Sequence, residues 1–339
     1  MTDLRSLDLA GLEELCTELG WDAYRARQLY AWVWQKRTRD FASMTNLSRD
    51  KRELLAGRFS IGTLTLAESL ADEDGTRKFT FRLGDGARVE TVYIPEDDRR
   101  TVCVSTQVGC SLGCDFCRTA RIGFRRDLAW HEIAGQVLEV QDRVEDRVTN
   151  VVLMGMGEPL LNYEASIAAI RNINSDYGIN IGARRITLST AGIPDGIRAY
   201  ARFPLQSKLA VSLNASDDET RSRLMPVNRR YPLAELLAAV REFTSLKGKR
   251  VTFEYVLIRG VNDRSRDVAQ LGRLLHGIPC KVNLIPFNPF PGTDLQAPSD
   301  EEAERFARAL FPLLPAVTIR RSRGRSILAA CGQLAGTTS

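Results

Sequence analysis

The sequence predicts an α/β chain built on a partial barrel of six strand–helix units, a partial (β/α)6 barrel, with a small helical unit at its N-terminus. Two observations carry that expectation. Apolar, β-branched runs at 101–108, 150–154, 185–189, 208–213, 251–258 and 280–285 are each followed by a stretch long enough for a helix. Before residue 58, by contrast, apolar residues recur at helical spacing with few strand-like alternations. A repeated β–α order implies parallel strands joined by right-handed crossovers, and ligands of such folds sit at the C-terminal ends of the strands.

Residues 1–62 form the helical unit. Leu9, Leu12, Leu15 and Leu19, then Tyr24, Leu29, Trp32 and Trp34, precede Lys36 and Arg37. That mixture of basic and aromatic side chains suits nucleic acid, although tryptophans at helical spacing more often belong to a core. Residues 63–100 turn to period-two segments at 63–68, 78–83 and 88–94, split by turns such as Gly84-Asp85-Gly86, and read as connecting strands. Residues 101–339 are the main domain.

At 44% hydrophobic and 26% charged, the chain has the composition of a globular protein with a sizeable core. It has no apolar run of about 18 residues, and Met1 to Arg5 begin no signal peptide, so the expectation is a cytoplasmic protein without a membrane partner. The net charge of +5 is modest. Its distribution is less so: Arg118, Arg121, Arg125 and Arg126 form one cluster, and Arg320, Arg321, Arg323 and Arg325 another, a local excess that suits a phosphate backbone. A solvated face balanced by acidic neighbours explains any single run as well.

Cys110, Cys114 and Cys117 lie in a C-x3-C-x2-C loop after the first expected strand of the barrel. Three thiols cannot pair among themselves without leaving one over, and in a reduced compartment such a cluster points to metal. Three thiolates suit three corners of a four-iron cluster and leave the fourth iron open. A structural zinc site needs a fourth ligand, and neither His131 nor His276 stands in ligand spacing with the triplet. Gly155-Met156-Gly157-Glu158-Pro159 follows the second strand, where glycines let a ligand approach the backbone and Glu158 can accept from a cationic amine. Ser189, Ser212, Leu213, Asn214 and Asn288 fall at corresponding strand ends. Cys103, in the strand entering the loop, and Cys331, near the chain's end, are candidates of a different kind; Cys16 and Cys280 read as core thiols.

The cysteine loop, with Phe116 before its last Cys, resembles the signature of the radical S-adenosylmethionine (SAM) superfamily, in which the open iron is chelated by SAM. Five further stretches make the resemblance closer: those around Glu90, at 104–110, at 154–162, at 285–292 and at 329–336 are similar to the RlmN family of adenosine C2 methyltransferases. Two positions depart from the family: Asn214 stands where many members carry His, and Arg325-Ser326 where acidic residues are usual.

The resemblance implies a radical SAM barrel, a [4Fe-4S] cluster on Cys110, Cys114 and Cys117, and SAM bound through Gly157, Glu158, Ser189, Ser212, Leu213, Asn214 and Asn288. It also implies a relay. Cys331 takes a methyl group from one SAM, a 5′-deoxyadenosyl radical from a second removes hydrogen from that methyl, and the carbon radical adds to adenine C2. Glu90 then accepts the C2 proton, and Cys103 attacks the sulfur of Cys331, releasing the base with a transient disulfide. The implied partners are an adenosine in the peptidyl-transferase region of 23S rRNA, the adenosine 3′ of the anticodon in certain tRNAs, and an electron donor such as a flavodoxin system, for a monomeric enzyme. The alternatives are a Cfr-type enzyme that methylates adenine C8, and a non-catalytic iron–sulfur RNA-binding protein that leaves Cys103, Cys331 and Glu90 as coincidences.

Overall fold

The computed structural model describes residues 1–62 and 64–336 of the 339-residue chain. Thr63, where the first connecting strand was expected to start, and residues 337–339, the end of the expected main domain, lie outside the described residues. At the N-terminus, β1 (Thr2–Asp3) and β2 (Phe59–Ser60) pair in parallel and close a unit of three helices, α1 (Leu9–Glu18), α2 (Tyr24–Tyr30) and α3 (Arg49–Arg58). Asp8 caps α1, accepting from the Gly11 amide at 2.8 Å. A five-residue π-helical segment, Ala31–Gln35, continues α2.

The rest is organised by one ten-stranded sheet whose strands lie side by side in sequence order. β3 (Thr65–Ala71), β4 (Arg77–Arg82), β5 (Arg88–Glu96) and β6 (Arg99–Cys103) form an antiparallel meander. The chain then leaves the sheet through β7 (Gln107–Gly109), the cysteine loop, α4 (Arg118–Arg121) and β8 (Phe124–Asp127), and α5 (Trp130–Gln141) brings it back. β9 (Asn150–Leu153) joins β6 in parallel and starts the alternation: α6 (Tyr163–Asn174), β10 (Ile186–Thr190), α7 (Pro194–Arg202), β11 (Lys208–Ser212), α8 (Asp218–Leu224), α9 (Leu233–Lys247), β12 (Val251–Leu257), α10 (Ser265–Leu274), β13 (Cys280–Pro286), α11 (Asp300–Leu310) and β14 (Val317–Ile319).

The partial barrel expected from the repeat is therefore present, with three differences. The 101–108 run is split: β6 stops at Cys103, and β7 pairs instead with β8. Gly109 explains the change of partner, because a Cβ there would meet the Gly123 carbonyl oxygen at 1.7 Å and its φ is +79°. The strands between 63 and 100 do more than connect, since β5 pairs with β6 and so extends the barrel sheet. β14 is an additional parallel strand on β13, and its three residues are too short to show a period.

The N-terminal unit docks on the outer helices. Trp34 is buried with its ring 5.3 Å from that of Trp130, so its helical spacing did mark core, whereas Trp32 stays half-buried beneath the Lys36 ammonium, 3.7 Å from its ring. Buried Glu139 of α5 gathers Arg39 at 3.0 Å and Arg143 at 2.7 Å, with Arg5 at 3.8 Å. Asn172 of α6 donates to the Tyr30 hydroxyl at 2.6 Å.

Candidate active site

The C-terminal ends of the parallel strands surround a cavity lined by Cys110, Cys114 and Cys117 together with Cys331 and Arg320. Hydrogen bonds brace the cysteine loop against the C-terminal segment. Arg118 N donates to the Gly332 carbonyl at 2.7 Å, and the Thr119 hydroxyl donates to that of Leu334 at 2.6 Å. Burial pushes the Cys110 thiol up to about 12 and raises Cys114 well above the ordinary thiol range, where the neighbouring thiols Cys117 and Cys110 add to it. Burial raises Cys117 too. Three crowded thiols whose ionisation burial opposes are the donors that a bound metal centre, with its own positive charge, would deprotonate. Among the described residues no three Cys, His, Asp or Glu side chains converge on one point that would hold a single ion. A four-iron cluster takes one thiolate on each of three irons, and the three cysteines lining this cavity fit that donor set.

Glu158 lies beneath the same cavity, buried, accepting from Leu160 N at 3.0 Å and Ala191 N at 2.7 Å. Burial raises its carboxyl to about 7, against the pull of those amides and the Thr190 hydroxyl. No cation pairs with it among the described ion pairs, so a cationic amine entering the cavity would meet a carboxylate short of positive charge. Gly157 keeps the wall thin: at φ +100°, a Cβ would stand 2.5 Å from that of Gln107. Ser189 and Ser212 line the wall. Asn214 also lines it, but its amide is committed, accepting from Val256 N at 2.9 Å with Nδ2 3.3 Å from Met225 Sδ. Leu213 points into the core, fully buried, and does not line the cavity. Asn288 donates to the Cys331 carbonyl at 3.2 Å, and its buried Oδ1 has no partner, leaving one acceptor free toward the cavity.

Cys103 sits behind this wall in β6, opposite Val92 and Val152. Both it and Cys331 are free thiols. Burial and then the nearby Cys331 sulfur push the Cys103 thiol up to about 12, with Arg320 acting against them. Glu90 lines no part of the cavity: its carboxylate is buried, 3.2 Å from Lys78 Nζ and 2.8 Å from the Ala335 amide that donates to it.

Residues 104–272 match the family model of the radical SAM superfamily, and residues 2–61 match that of the ribosomal RNA large subunit methyltransferase N-terminal domain. A dual-specificity RNA methyltransferase RlmN of Anaeromyxobacter dehalogenans is 46% identical over 98% of this chain and 91% of its own length. That of Geobacter sulfurreducens is 45% identical over 99% and 92%. The chain belongs to the RlmN family. The crystal structure of a radical SAM methyltransferase from Sphaerobacter thermophilus superposes with a TM-score of 0.95 at 46% identity, covering 99% of this chain and all of that one. The chain is accordingly a SAM-dependent enzyme of the radical SAM fold, and its cofactors are a [4Fe-4S] cluster and SAM.

Sequence reasoning passed over several residues that shape this RlmN site. Arg221 is completely buried and donates to the carbonyls of Leu213 at 3.1 Å, Ala191 at 2.6 Å and Ser212 at 3.2 Å, tying the ends of β10 and β11 together. Burial lowers its guanidinium to about 10. Glu254 stands in one register row with Ser212, Asn283 and Thr318, and its buried Oε2 lacks a partner. Arg320 faces Glu254 and the two cysteines, and the Cys331 sulfur is the chief cause that raises its guanidinium. One signal was available: Glu254 is the single charged residue in the apolar run 251–258. Arg221 and Arg320 lie in arginine-rich stretches that offer no such contrast.

Proposed function

We propose that this chain methylates C2 of adenosine in RNA, in the peptidyl-transferase region of 23S rRNA and at the position 3′ of the anticodon in certain tRNAs. The observation that carries the reading is Cys331: it opens into the same cavity as the three-thiol loop, with the Cys103 thiol close enough to perturb. The names of the relatives support RNA as the substrate. When bound, the cluster and SAM supply a carbon radical, which this substrate requires because adenine C2 is electron-poor and closed to polar methylation.

In this reading Cys110, Cys114 and Cys117 hold the cluster. Gly157, Glu158, Ser189, Ser212, Asn214 and Asn288 bind SAM, with Leu213 supporting them from the core. Cys331 carries the methyl carbon to the base as a soft sulfur nucleophile. Glu90 accepts the C2 proton. Cys103, as thiolate, then bonds to the sulfur of Cys331 while the bond from that sulfur to the bridging carbon breaks; the electron pair stays on that carbon, which takes up a proton to become the methyl group, and the methylated base leaves. A base inside a helix cannot reach such a cavity, so the target nucleotide is looped or extruded.

Residues 1–62 serve as an RNA-contacting unit, supported by the exposed Tyr24 ring under Arg25 and by Trp32 under Lys36. Residues 63–100 bridge it to a catalytic core at 101–339. The enzyme works in the cytoplasm as a monomer, with a flavodoxin-type electron donor. No helix among the described residues is long and apolar enough to cross a membrane.

The test is nuclease digestion and mass spectrometry of RNA from cells with and without the gene, against 2-methyladenosine and 8-methyladenosine standards. Loss of 2-methyladenosine is expected; loss of 8-methyladenosine instead would assign the C8 reaction. In the same cells, Cys103→Ala protein should retain RNA bound covalently through Cys331, and Cys331→Ala none. A Cys103→Ala protein that keeps its cluster and carries no nuclease-sensitive adduct would overturn the relay.

A further inference from the structure

On the face of the sheet turned away from α5, three chemically active side chains stand in neighbouring strands. The antiparallel register sets Lys78 opposite Val92 and Val92 opposite Cys103, while Glu90 stands opposite Thr80. Residues paired in register share a sheet face, and so do residues two apart, so Lys78, Glu90 and Cys103 all project to one side. The other side takes the stacked rings of Phe79 and Phe81, and Thr91, whose hydroxyl donates to Gln136 of α5 at 2.7 Å. The C-terminal segment covers the first side and touches both charged groups. Lys78 Nζ lies 3.2 Å from Glu90 Oε1 and donates to the Leu328 carbonyl at 3.3 Å, and Ala335 N donates to Glu90 Oε2 at 2.8 Å.

Lys78 and Glu90 are 5% and 2% exposed. A lysine this deep is rare unless it is paired, and a buried ion pair adds little stability over apolar residues of similar volume, so stability alone does not account for this one. We propose that Lys78 is a positioning residue for the proton-accepting step. The inference rests on the reading of Glu90 as the proton acceptor. Lys78 fixes one carboxylate oxygen on the face that Cys103 shares. Through the Leu328 carbonyl it also holds the segment that carries Cys331 three residues further on. Base and methyl-bearing sulfur are thereby kept in one frame by a single ammonium. In the step itself the proton passes from the reacting ring carbon to a Glu90 oxygen and the electron pair of the C–H bond stays with the ring, while the single electron left over from radical addition returns to the electron-transfer system that supplied it; Lys78 only holds the carboxylate in place.

The experiment is a single turnover of the reconstituted holoenzyme on an RNA oligonucleotide carrying hydrogen or deuterium at C2 of the target adenosine. It follows RNA held on Cys331 and the release of methylated RNA. Lys78→Met should still form the adduct, and should slow product release at least tenfold more than it slows adduct formation. It should also show a deuterium effect on release that exceeds the wild-type value, which a general loss of packing would not produce. Lys78→Arg, which keeps the charge, should recover most of the rate. If Lys78→Met fails to fold, Lys78→Gln is read in its place, since it retains a donor for the Leu328 carbonyl without the charge. A folded, cluster-loaded Lys78→Met or Lys78→Gln with wild-type release and no added isotope effect would overturn the inference. Glu90→Gln separates the two levels: if it releases product normally, the reading of Glu90 fails; if it stalls while the Lys78 variants do not, only the role of Lys78 fails.

Discussion

Glu158 shows at the scale of one side chain how a carboxyl buried beside a cavity opposes the stability of its own fold. Its carboxyl is raised to about 7, first by burial. For an acid raised in the folded state, the unfolded chain gives up its proton first, so stability falls as pH climbs from the ordinary carboxyl range near 4.5 through about 7. Glu158→Gln should therefore raise the Tm of the protein without cluster or SAM at pH 8, with little gain at pH 5. In the holoenzyme the same substitution should weaken SAM binding by tenfold or more while leaving cluster absorbance intact, as equilibrium dialysis would report. Equal Tm gains at the two pH values would contradict the burial argument. Glu158 was legible because Gly155-Met156-Gly157-Glu158 is compact and ends a strand. Lys78 was not, because one lysine within Arg77–Arg82 looks like any solvent-facing strand residue until Glu90 and the Leu328 carbonyl arrive from distant parts of the chain.

The loop after β9 makes the same point for an element. It can pass over Gln107 only because Gly155 and Gly157 lack side chains: Cβ atoms there would stand 2.7 Å from the Val104 carbonyl and 2.5 Å from Gln107 Cβ. Gly157→Ala should cost about 2 kcal/mol or more, given strain at positive φ added to overpacking. It should also displace the Glu158 amide from Gln107 Oε1, a bond of 2.9 Å, and weaken SAM binding as a result. Urea unfolding together with SAM titration would check both effects. Strands β9 to β13 were legible as apolar runs because each is long enough to show a pattern and is followed by a helix. β14 and the break after Cys103 were not. A three-residue strand has no period, and the break depends on Gly109 meeting the Gly123 carbonyl, a contact that spacing alone cannot reveal.

For the whole molecule, the N-terminal unit and the barrel are joined by a buried seam, with Trp34 against Trp130 and Glu139 among three arginines. Trp34→Ala should cost about 3 to 5 kcal/mol, the usual loss for a large buried aromatic. Calorimetry should show the transition lowered and, if the two parts come to melt separately, broadened. Little of this seam could be read beforehand, because Trp34 and Trp130 are far apart in sequence and nothing in either stretch marks the other as its partner.

The sheet is an open one, ending at β3 on one side and β14 on the other. A closed barrel would have no free edge, but it would also leave no broad side through which a folded RNA could present a base. The edges that remain have to be kept from recruiting other chains. β14 is only three residues long. β3 is seven residues long, exposed throughout, and carries Leu66 and Leu70 outward. Its protection is the register shift between Leu66 and Glu68, which bends the edge, together with the charge of Glu68. Deleting Ala67 and replacing Glu68 with Val would straighten and neutralise that margin, and light scattering during refolding should then report aggregation from a protein whose active site is untouched. Access for a large substrate and the danger of self-association thus have the same origin, and a single irregular residue at the rim keeps the two apart.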